Sequence, residues 1–519
     1  MGVLKYRYNN FYEMILSHAS KRGRKKALFL GKRSVSYAEL LEMSDRLAAY
    51  LHEKGIREDE RIALFMKNSI EFVVSLIAIS KVGAICVPVN NFLKSDELSY
   101  ILEDSSAVAL FASSSLERVV RASNASLLCR KIVWQGGAAP SSGIDEITFA
   151  EILKERTLYP PTKRSLDKCA VIFYTSGTTG KPKGAMLSYR NILSNAESAI
   201  ALFAINPKDR DIVFLPMFHS FTFSIGLILP LYAGASIVIV DSVRPFSNIF
   251  KQTLLKRVTL FFGVPDLYNA LAKARLPWYF RWFNRVRIFV SGAAALQPKT
   301  LRAMREKFPR AKMIEGYGLS ESSPAACINP LHLQKERSVG PAMPGYEIKI
   351  VDENMVEVPV GERGEIIIRG DNVMMGYLDR PEATAETIIN GWLLTGDMGY
   401  VDSDGYLFIV GRKKDLIISK GINIYPREIE EHIDAFPGVK ASAVVGMEDE
   451  RSGEIPVAYI EAEDGQSVDM SELKRYLKSS LADYKIPRHM ELVEELPKNA
   501  TGKVLKRVLK ERLAGKREE

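Results

Sequence analysis

The run Tyr174-Thr-Ser-Gly-Thr-Thr-Gly-Lys-Pro-Lys-Gly184 packs the groups of a phosphate cradle into eleven residues. Gly177 and Gly180 allow positive φ and close backbone approach. Thr175, Ser176, Thr178 and Thr179 offer hydroxyls, and Lys181 and Lys183 offer positive charge. Oriented amides, hydroxyls and ammonium groups of this kind bind anions. The run is not a Walker A loop, which needs Gly-x4-Gly-Lys-Ser/Thr, because Pro182 follows Gly180-Lys181. Ala170-Val-Ile-Phe reads as a buried strand entering the loop, and a helix is expected near Tyr189. An ordinary Gly/Ser connector between strand and helix would lack this density of hydroxyls and lysines.

The segment closely resembles the phosphate-binding signature of the adenylate-forming superfamily, which includes acyl-CoA synthetases, peptide-synthetase adenylation domains and beetle luciferases. The likeness runs from about Ser36 to Lys503, with further motifs in the family's order. Glu315-Gly316-Tyr317-Gly318-Leu-Ser320-Glu321 resembles the adenine and metal motif. A tyrosine between glycines can lay its ring against a purine, and Glu321 is a hard oxygen ligand suited to Mg²⁺ bridging triphosphate oxygens. The family usually has Thr where this chain has Ser320; the hydroxyl is kept. Gly318-Leu-Ser320-Glu-Ser322 nearly matches the GxSxG elbow of hydrolases but ends in Ser, so it is discounted. Ser291-Gly292-Ala293 resembles the strand-end segment lying along the nucleotide and the acyl group. Thr395-Gly-Asp397 resembles the ribose motif, with Arg412 as the second ribose contact. Pro497-Lys-Asn-Ala-Thr-Gly-Lys503 resembles the C-terminal catalytic loop.

The resemblance implies ATP, Mg²⁺ and coenzyme A, and two half-reactions. An acid and ATP give acyl-AMP and pyrophosphate; a thiol then displaces AMP. Lys503, Thr175 and His219 are the expected catalytic residues, with Glu321 and Thr175 at the metal. Lys503 would oppose negative charge building up on the transferring phosphate, whereas Lys498, Lys506 and Lys510 read as solvated surface. His219 lies in Pro216-Met-Phe-His-Ser-Phe-Thr, which resembles the segment bordering the acyl pocket; an isolated His among aromatics is otherwise a satisfied core residue. Phe218, Phe221 and Phe223 would then shape an apolar site. The second step would use Lys420 and Gly421, in a stretch resembling the wall of the pantetheine channel. Lys414 matches the hinge about which a small C-terminal domain turns between steps.

For the acid, Ser320-Glu-Ser-Ser-Pro-Ala-Ala and Asn329-Pro-Leu look most like fatty acid–CoA ligases, which implies a fatty acid of medium to long chain. A coumarate-like aryl acid is the alternative, as is a carrier-protein acceptor, although 16 residues after Lys503 leave no room for a fused carrier domain. A catalytically silent binding module is the non-enzymatic alternative, and intact Lys503, Glu321, Asp397 and Lys183 speak against it.

These residues need elements to hold them. Ser36 reads as the cap of an amphipathic helix with Leu40, Leu41, Leu47 and Leu51 on one face. Arg61-Ile-Ala-Leu-Phe reads as a strand, followed by a helix over 69–81, and the rhythm returns at 94–103 and 107–112. This alternation predicts layered α/β subdomains with mainly parallel strands. From about 340, short strands such as Glu347-Ile-Lys-Ile-Val predict a small β-rich subdomain. The charged Gly411-Arg-Lys-Lys-Asp415 marks a boundary, giving an N-terminal domain over 1–411 and a small mobile α+β domain over 412–519. No charged residue lies between Asp211 and Asp241, but Pro216, Pro230 and Gly234 favour a buried strand–helix–strand over a membrane span.

The chain has 519 residues, 47% of them hydrophobic and 26% charged, enough for a large core and too apolar for disorder. A net charge of +9 spread over this length favours anionic small ligands or acidic membrane surfaces over nucleic acid. Four cysteines outside any CxxC pair, and no signal-like N-terminus, point to a reducing cytoplasm. Val504, Leu505, Val508 and Leu509 recur among Lys and Arg, so the tail either lies on a membrane or docks on its own domain. A homodimer stays open.

Overall fold

The computed structural model describes residues 4–137, 145–155, 159–175, 181–241, 247–276, 278–292, 294, 296–419, 422–449, 451–498 and 502–518. Ser176, Gly177, Thr178, Thr179, Gly180, Ala293, Lys420 and Gly421 lie outside them.

Among the described residues the N-terminal body holds two eight-stranded sheets. One runs 376–377, 183–188, 169–175, 85–88, 61–65, 107–113, 131–135 and 145–148 in spatial order. The other runs 327–328, 312–317, 288–291, 260–263, 210–213, 236–239, 26–30 and 33–36. Their inner strands pair in parallel, as in βαβ layering. Between the sheets lie helices Ile70–Val82 and Tyr189–Phe203, sharing one apolar core with both. Every residue of Ile70–Val82 is buried, as expected of a helix apolar on all sides.

Local signals explain the helix starts. The Ser36 hydroxyl accepts from the Glu39 amide while the Glu39 carboxylate accepts from the Ser36 amide at 2.6 Å, which closes a capping box. Ser69 and Ser188 cap the two central helices through their side-chain oxygens. The stretch from Asp211 to Asp241, uncharged between those two ends, lies in a strand–helix–strand unit: strand Arg210–Val213, a π-helical turn Thr222–Ile228 continued by helix Leu229–Tyr232, and strand Ser236–Ile239. No helix among the described residues is long and apolar enough to cross a membrane.

The phosphate-loop region differs from expectation in one respect. A strand, Lys183–Ser188, stands between the loop and helix Tyr189–Phe203 and returns antiparallel to Cys169–Thr175. Thr175 and Lys183, the described residues nearest the loop on these two strands, thus stand directly opposite each other.

A five-stranded antiparallel sheet follows, built of Tyr346–Val351, Gly364–Gly370, Ile388–Ile389, Trp392–Val401 and Leu407–Arg412. Beyond it, strands Ile417–Ser419, Ile422–Ile424, Val439–Asp449, Gly453–Ala462 and His489–Val493 form the last sheet. Helices Pro426–Ala435 and Met470–Ser480 cover one of its faces through Ile429, Ile433, Leu473 and Leu477. The C-terminal helix Lys506–Glu518 covers the other, with Leu509 fully buried against Val445, Val457 and Tyr459. The tail therefore docks on its own domain.

Candidate active site

The inner strands of the second sheet end at Ser291-Gly292 and Tyr317-Gly318, and strand Arg210–Val213 leads into the segment carrying His219. In open α/β sheets, ligands bind outside these carboxyl ends. The predicted residues that the structure describes gather there in three groups.

The first group surrounds Glu321. Its Oε1 accepts from the Thr175 hydroxyl at 3.2 Å and from the Tyr377 hydroxyl at 3.1 Å. The Lys183 ammonium stands over the Tyr377 ring, 5.3 Å from its centroid. Hydroxyls, an ammonium group and one hard carboxylate thus converge where strands Cys169–Thr175 and Lys183–Ser188 lie side by side. Burial and the adjacent Glu321 charge hold the Tyr377 phenol well above its usual range, so it stays a donor. One carboxylate flanked by a hydroxyl fits Mg²⁺ that arrives with substrate phosphates, since Mg²⁺ keeps most of its oxygen ligands from water and phosphate. Ser320, one residue earlier, shares a hydrogen bond of 2.8 Å with Ser220.

The second group surrounds Asp397, a buried carboxylate. Asp397 and Arg412 face each other on adjacent antiparallel strands, with Arg412 Nε 3.0 Å from Asp397 Oδ1. The Tyr317 hydroxyl donates to Asp397 Oδ2 at 2.7 Å. Burial, then the Asp397 charge, pushes the Tyr317 phenol upward. Lys503 comes in from the C-terminal domain. The residue as a whole is exposed, yet burial around its ammonium lowers the pKa to about 8, with Arg412 and Lys414 pushing the same way and Asp397 opposing. Gly502 fixes the approach: a Cβ there would lie 2.9 Å from Asp266 Oδ2. Lys498 reaches Asp266 and Glu461, each at 3.6 Å, and Lys506 pairs with Glu430 at 2.7 Å. Lys498 and Lys506 are therefore half-buried structural ion pairs, not solvated surface, because their loop is strapped to both domains. Burial and Arg412 also lower Lys414.

The third group borders the acyl side. His219 Nδ1 accepts from the Phe221 amide at 3.3 Å, and burial holds the imidazole down to about 4, hence neutral near pH 7. The Phe221 ring covers Gly292 so closely that a Cβ there would stand 2.8 Å from Phe221 Cε2. Phe218 meets Phe92 edge-on at 6.2 Å. Phe223 does not join them; it is fully buried against Phe11 and Phe173 in the core. The π-helical turn begins at Thr222, directly after this segment, a feature common at functional sites.

Gly318 is needed for a reason beyond a clear ring face. A Cβ on Gly318 would lie 1.9 Å from the Pro324 carbonyl oxygen. Tyr377 and Ser220 escaped the sequence reading: Tyr377 sits on a two-residue strand after Gly376, and no spacing rule links it to Glu321.

A family model described as AMP-binding enzyme matches residues 16–378, and one described as AMP-binding enzyme C-terminal domain matches residues 428–503. The feruloyl-CoA synthase of Amycolatopsis sp is 34% identical over 478 residues, covering 92% of this chain and 93% of that protein. The long-chain-fatty-acid–CoA ligase of Salmonella typhimurium is 32% identical over 541 aligned positions, covering 98% of this chain and 96% of that protein. The solved structure of the anthranilate CoA ligase AuaEII in complex with anthranoyl-AMP superposes with a TM-score of 0.90 at 28% identity, covering 99% of both chains. With the motifs, the layered α/β body and the convergent site in agreement, the chain belongs to the AMP-binding enzyme family, as an AMP-forming acid–CoA ligase.

Proposed function

We propose that the chain activates a fatty acid of medium to long chain as acyl-AMP and transfers the acyl group to coenzyme A. The observation that carries the chemistry is the approach of Lys503 to the Asp397–Arg412 pair. That approach brings a residue from the far end of the C-terminal domain, 412–519, to a pair that straddles its boundary with the N-terminal domain, 1–411. The fatty acid reading is supported by the long-chain ligase relative and by the apolar wall of Phe218 and Phe221. An aryl acid is the second reading, favoured by the feruloyl-CoA synthase relative and by the flat Phe221 ring against Gly292. AMP and pyrophosphate release with acids from acetate to oleate, plus ferulate, separates them. The fatty acid reading expects oleate or a medium-chain acid to lead in kcat/KM, and ferulate leading would overturn it.

In the first step a carboxylate oxygen bonds to the α-phosphorus while the α–β phosphoanhydride bond breaks and pyrophosphate leaves. Asp397 and Arg412 hold the ribose, Tyr317 lies by the adenine, and the strand end at Gly292, with the Phe221 ring packed on it, borders the nucleotide and acyl chain. Thr175 and Lys183 engage phosphate oxygens together with the loop Ser176–Gly180. Glu321 and Thr175 would hold Mg²⁺, which supplies charge neutralisation of the leaving pyrophosphate. Lys503 opposes the charge on the transferring phosphate. In the second step the coenzyme A sulfur attacks the acyl carbon, losing its proton, and AMP departs with the C–O bond electrons. Lys420 and Gly421 serve that step after the C-terminal domain turns about Lys414. A neutral His219 borders the acyl group without adding charge.

The pH dependence follows from Lys503. Its cationic form is the useful one, and burial lowers its pKa to about 8. Adenylation kcat/KM, which reports the free enzyme, should therefore hold below that value and fall as pH rises through it. Lys503→Arg, always protonated, should remove the alkaline limb even where it lowers the maximum. A wild-type profile still flat at pH 10 would exclude Lys503 as the titrating group.

A further inference from the structure

The edge of the second sheet opposite the site carries a concentration of positive charge that catalysis does not use. At the amino ends of its strands, a cleft of about 560 Å³ is lined by Lys21, Arg22, Lys25, Lys26, Lys208 and Arg210. Phe29 forms its apolar side, and the Arg210 guanidinium and Lys256 ammonium stand 5.3 Å and 5.1 Å from that ring's centroid. Arg210 in turn lies close enough to Arg257 and Arg285 for their charges to destabilise its own. Few carboxylates answer this charge. Glu39 meets Lys26 at 3.3 Å, and the buried Asp209 is already held by Arg287 at 2.9 Å. Burial, and then the like charges of Arg22 and Arg210, lowers Lys25 to about 8.

Large apolar side chains stand exposed beside this stripe. Trp282 is 61% exposed and Phe283 69% exposed, two residues before Arg285. Leu255, 64% exposed, precedes Lys256 and Arg257. Their helices, Trp278–Phe283 and Ser247–Leu255, pack together through Phe250 and Phe280, so the three apolar side chains belong to one edge. Arg310 stands over the Trp282 ring at 5.8 Å. Exposed aromatics contiguous with unneutralised Lys and Arg suit the headgroup level of a bilayer, where Trp is favoured and each basic residue gains from anionic lipid.

We infer that this edge docks on anionic lipid bilayers: the Lys21–Arg210 cleft takes the headgroup charge, and Trp282, Phe283 and Leu255 enter the headgroup–acyl boundary. The active site lies at the other ends of the same strands, so a docked molecule keeps its cleft facing water. The inference does not depend on which acid is activated.

The test is co-sedimentation of the full chain with phosphatidylcholine vesicles, with and without phosphatidylglycerol, at low and high salt. Wild type is expected to bind the anionic vesicles, and salt should weaken it. Each basic residue contributes roughly fivefold, so Lys21→Glu/Lys208→Glu/Arg257→Glu should lose roughly a hundredfold or more. Trp282→Ser/Phe283→Ser should lose roughly tenfold or more, from the apolar burial forgone. Both variants should keep acyl-adenylate formation in solution, which shows that they are folded. Arg507→Glu/Lys510→Glu, on the C-terminal helix, should bind like wild type. The inference is overturned if both cleft and aromatic variants bind as wild type does, if only the C-terminal variant loses binding, or if a single-stranded oligonucleotide is captured while vesicles are ignored.

Discussion

Lys503→Ala should slow acyl-adenylate formation by about 10²–10³, the usual cost of one preorganised donor at a developing charge, while thioester formation from supplied acyl-AMP stays within a few-fold of wild type. The expectation rests on position. Lys503 belongs to the C-terminal domain yet shares its surroundings with Arg412, Asp397 and Lys414. Two other lysines near it in sequence are already committed, Lys498 to Asp266 and Glu461 and Lys506 to Glu430. The two half-reactions should be assayed separately, pyrophosphate release for the first and acyl-CoA formation from acyl-AMP for the second. Equal loss in both would mean that Lys503 supports the site as a whole, and the division of labour between the two faces of the C-terminal domain would fall.

Gly318→Ala should be nearly as damaging for one added methyl group. The new Cβ would meet the Pro324 carbonyl oxygen at 1.9 Å, its carbon at 2.7 Å and the Ala325 Cα at 2.8 Å. All three are backbone atoms, so no side chain can swing aside. The turn that must yield carries Ser320 and Glu321, and it is pinned by the Leu319 amide donating to the Ser322 hydroxyl at 3.0 Å. Overpacking of this kind costs about 1–3 kcal/mol. A shift of about 1 Å at Glu321 should cost about 10²-fold in pyrophosphate release. Gly137→Ala is the control, since a Cβ there meets nothing within 4 Å. Calorimetry and pyrophosphate release should show a lowered Tm and a large rate loss for the first variant and neither for the second. Wild-type turnover in Gly318→Ala would show that the turn does not position Glu321.

The sequence was legible where short-range chemistry decides. Capping serines at 36 and 69, the five-residue strand Arg61–Phe65 and the apolar stripe Ile429–Ile433 follow from residues close along the chain. The site residues were legible because each motif is contiguous. What stayed hidden depends on contacts across the fold. The return strand Lys183–Ser188 was not read, because its ladder with Cys169–Thr175 is a pairing across the loop that no local residue pattern announces. Tyr377 reaches Glu321 only because strand Gly376–Tyr377 pairs with residues 185–186. Phe223 was assigned with Phe221 by proximity in sequence, but the π-helical turn directs it into the core. Lys498 looked like surface because its partner Asp266 lies 232 residues away in another domain.

The ladder between strands Trp392–Val401 and Leu407–Arg412 sets Asp397 opposite Arg412, and the chain leaves that ladder immediately before Lys414. On the proposed mechanism, both groups assigned to the sugar are thus anchored in the antiparallel sheet that ends at Arg412, upstream of the swivel at Lys414, whereas the ammonium at 503 rides on the part that turns. A turn that withdraws the latter leaves the former undisturbed. On that reading the activated intermediate waits in its seat while one tool is exchanged for the next, with no need to release and recapture a reactive anhydride between the two tasks.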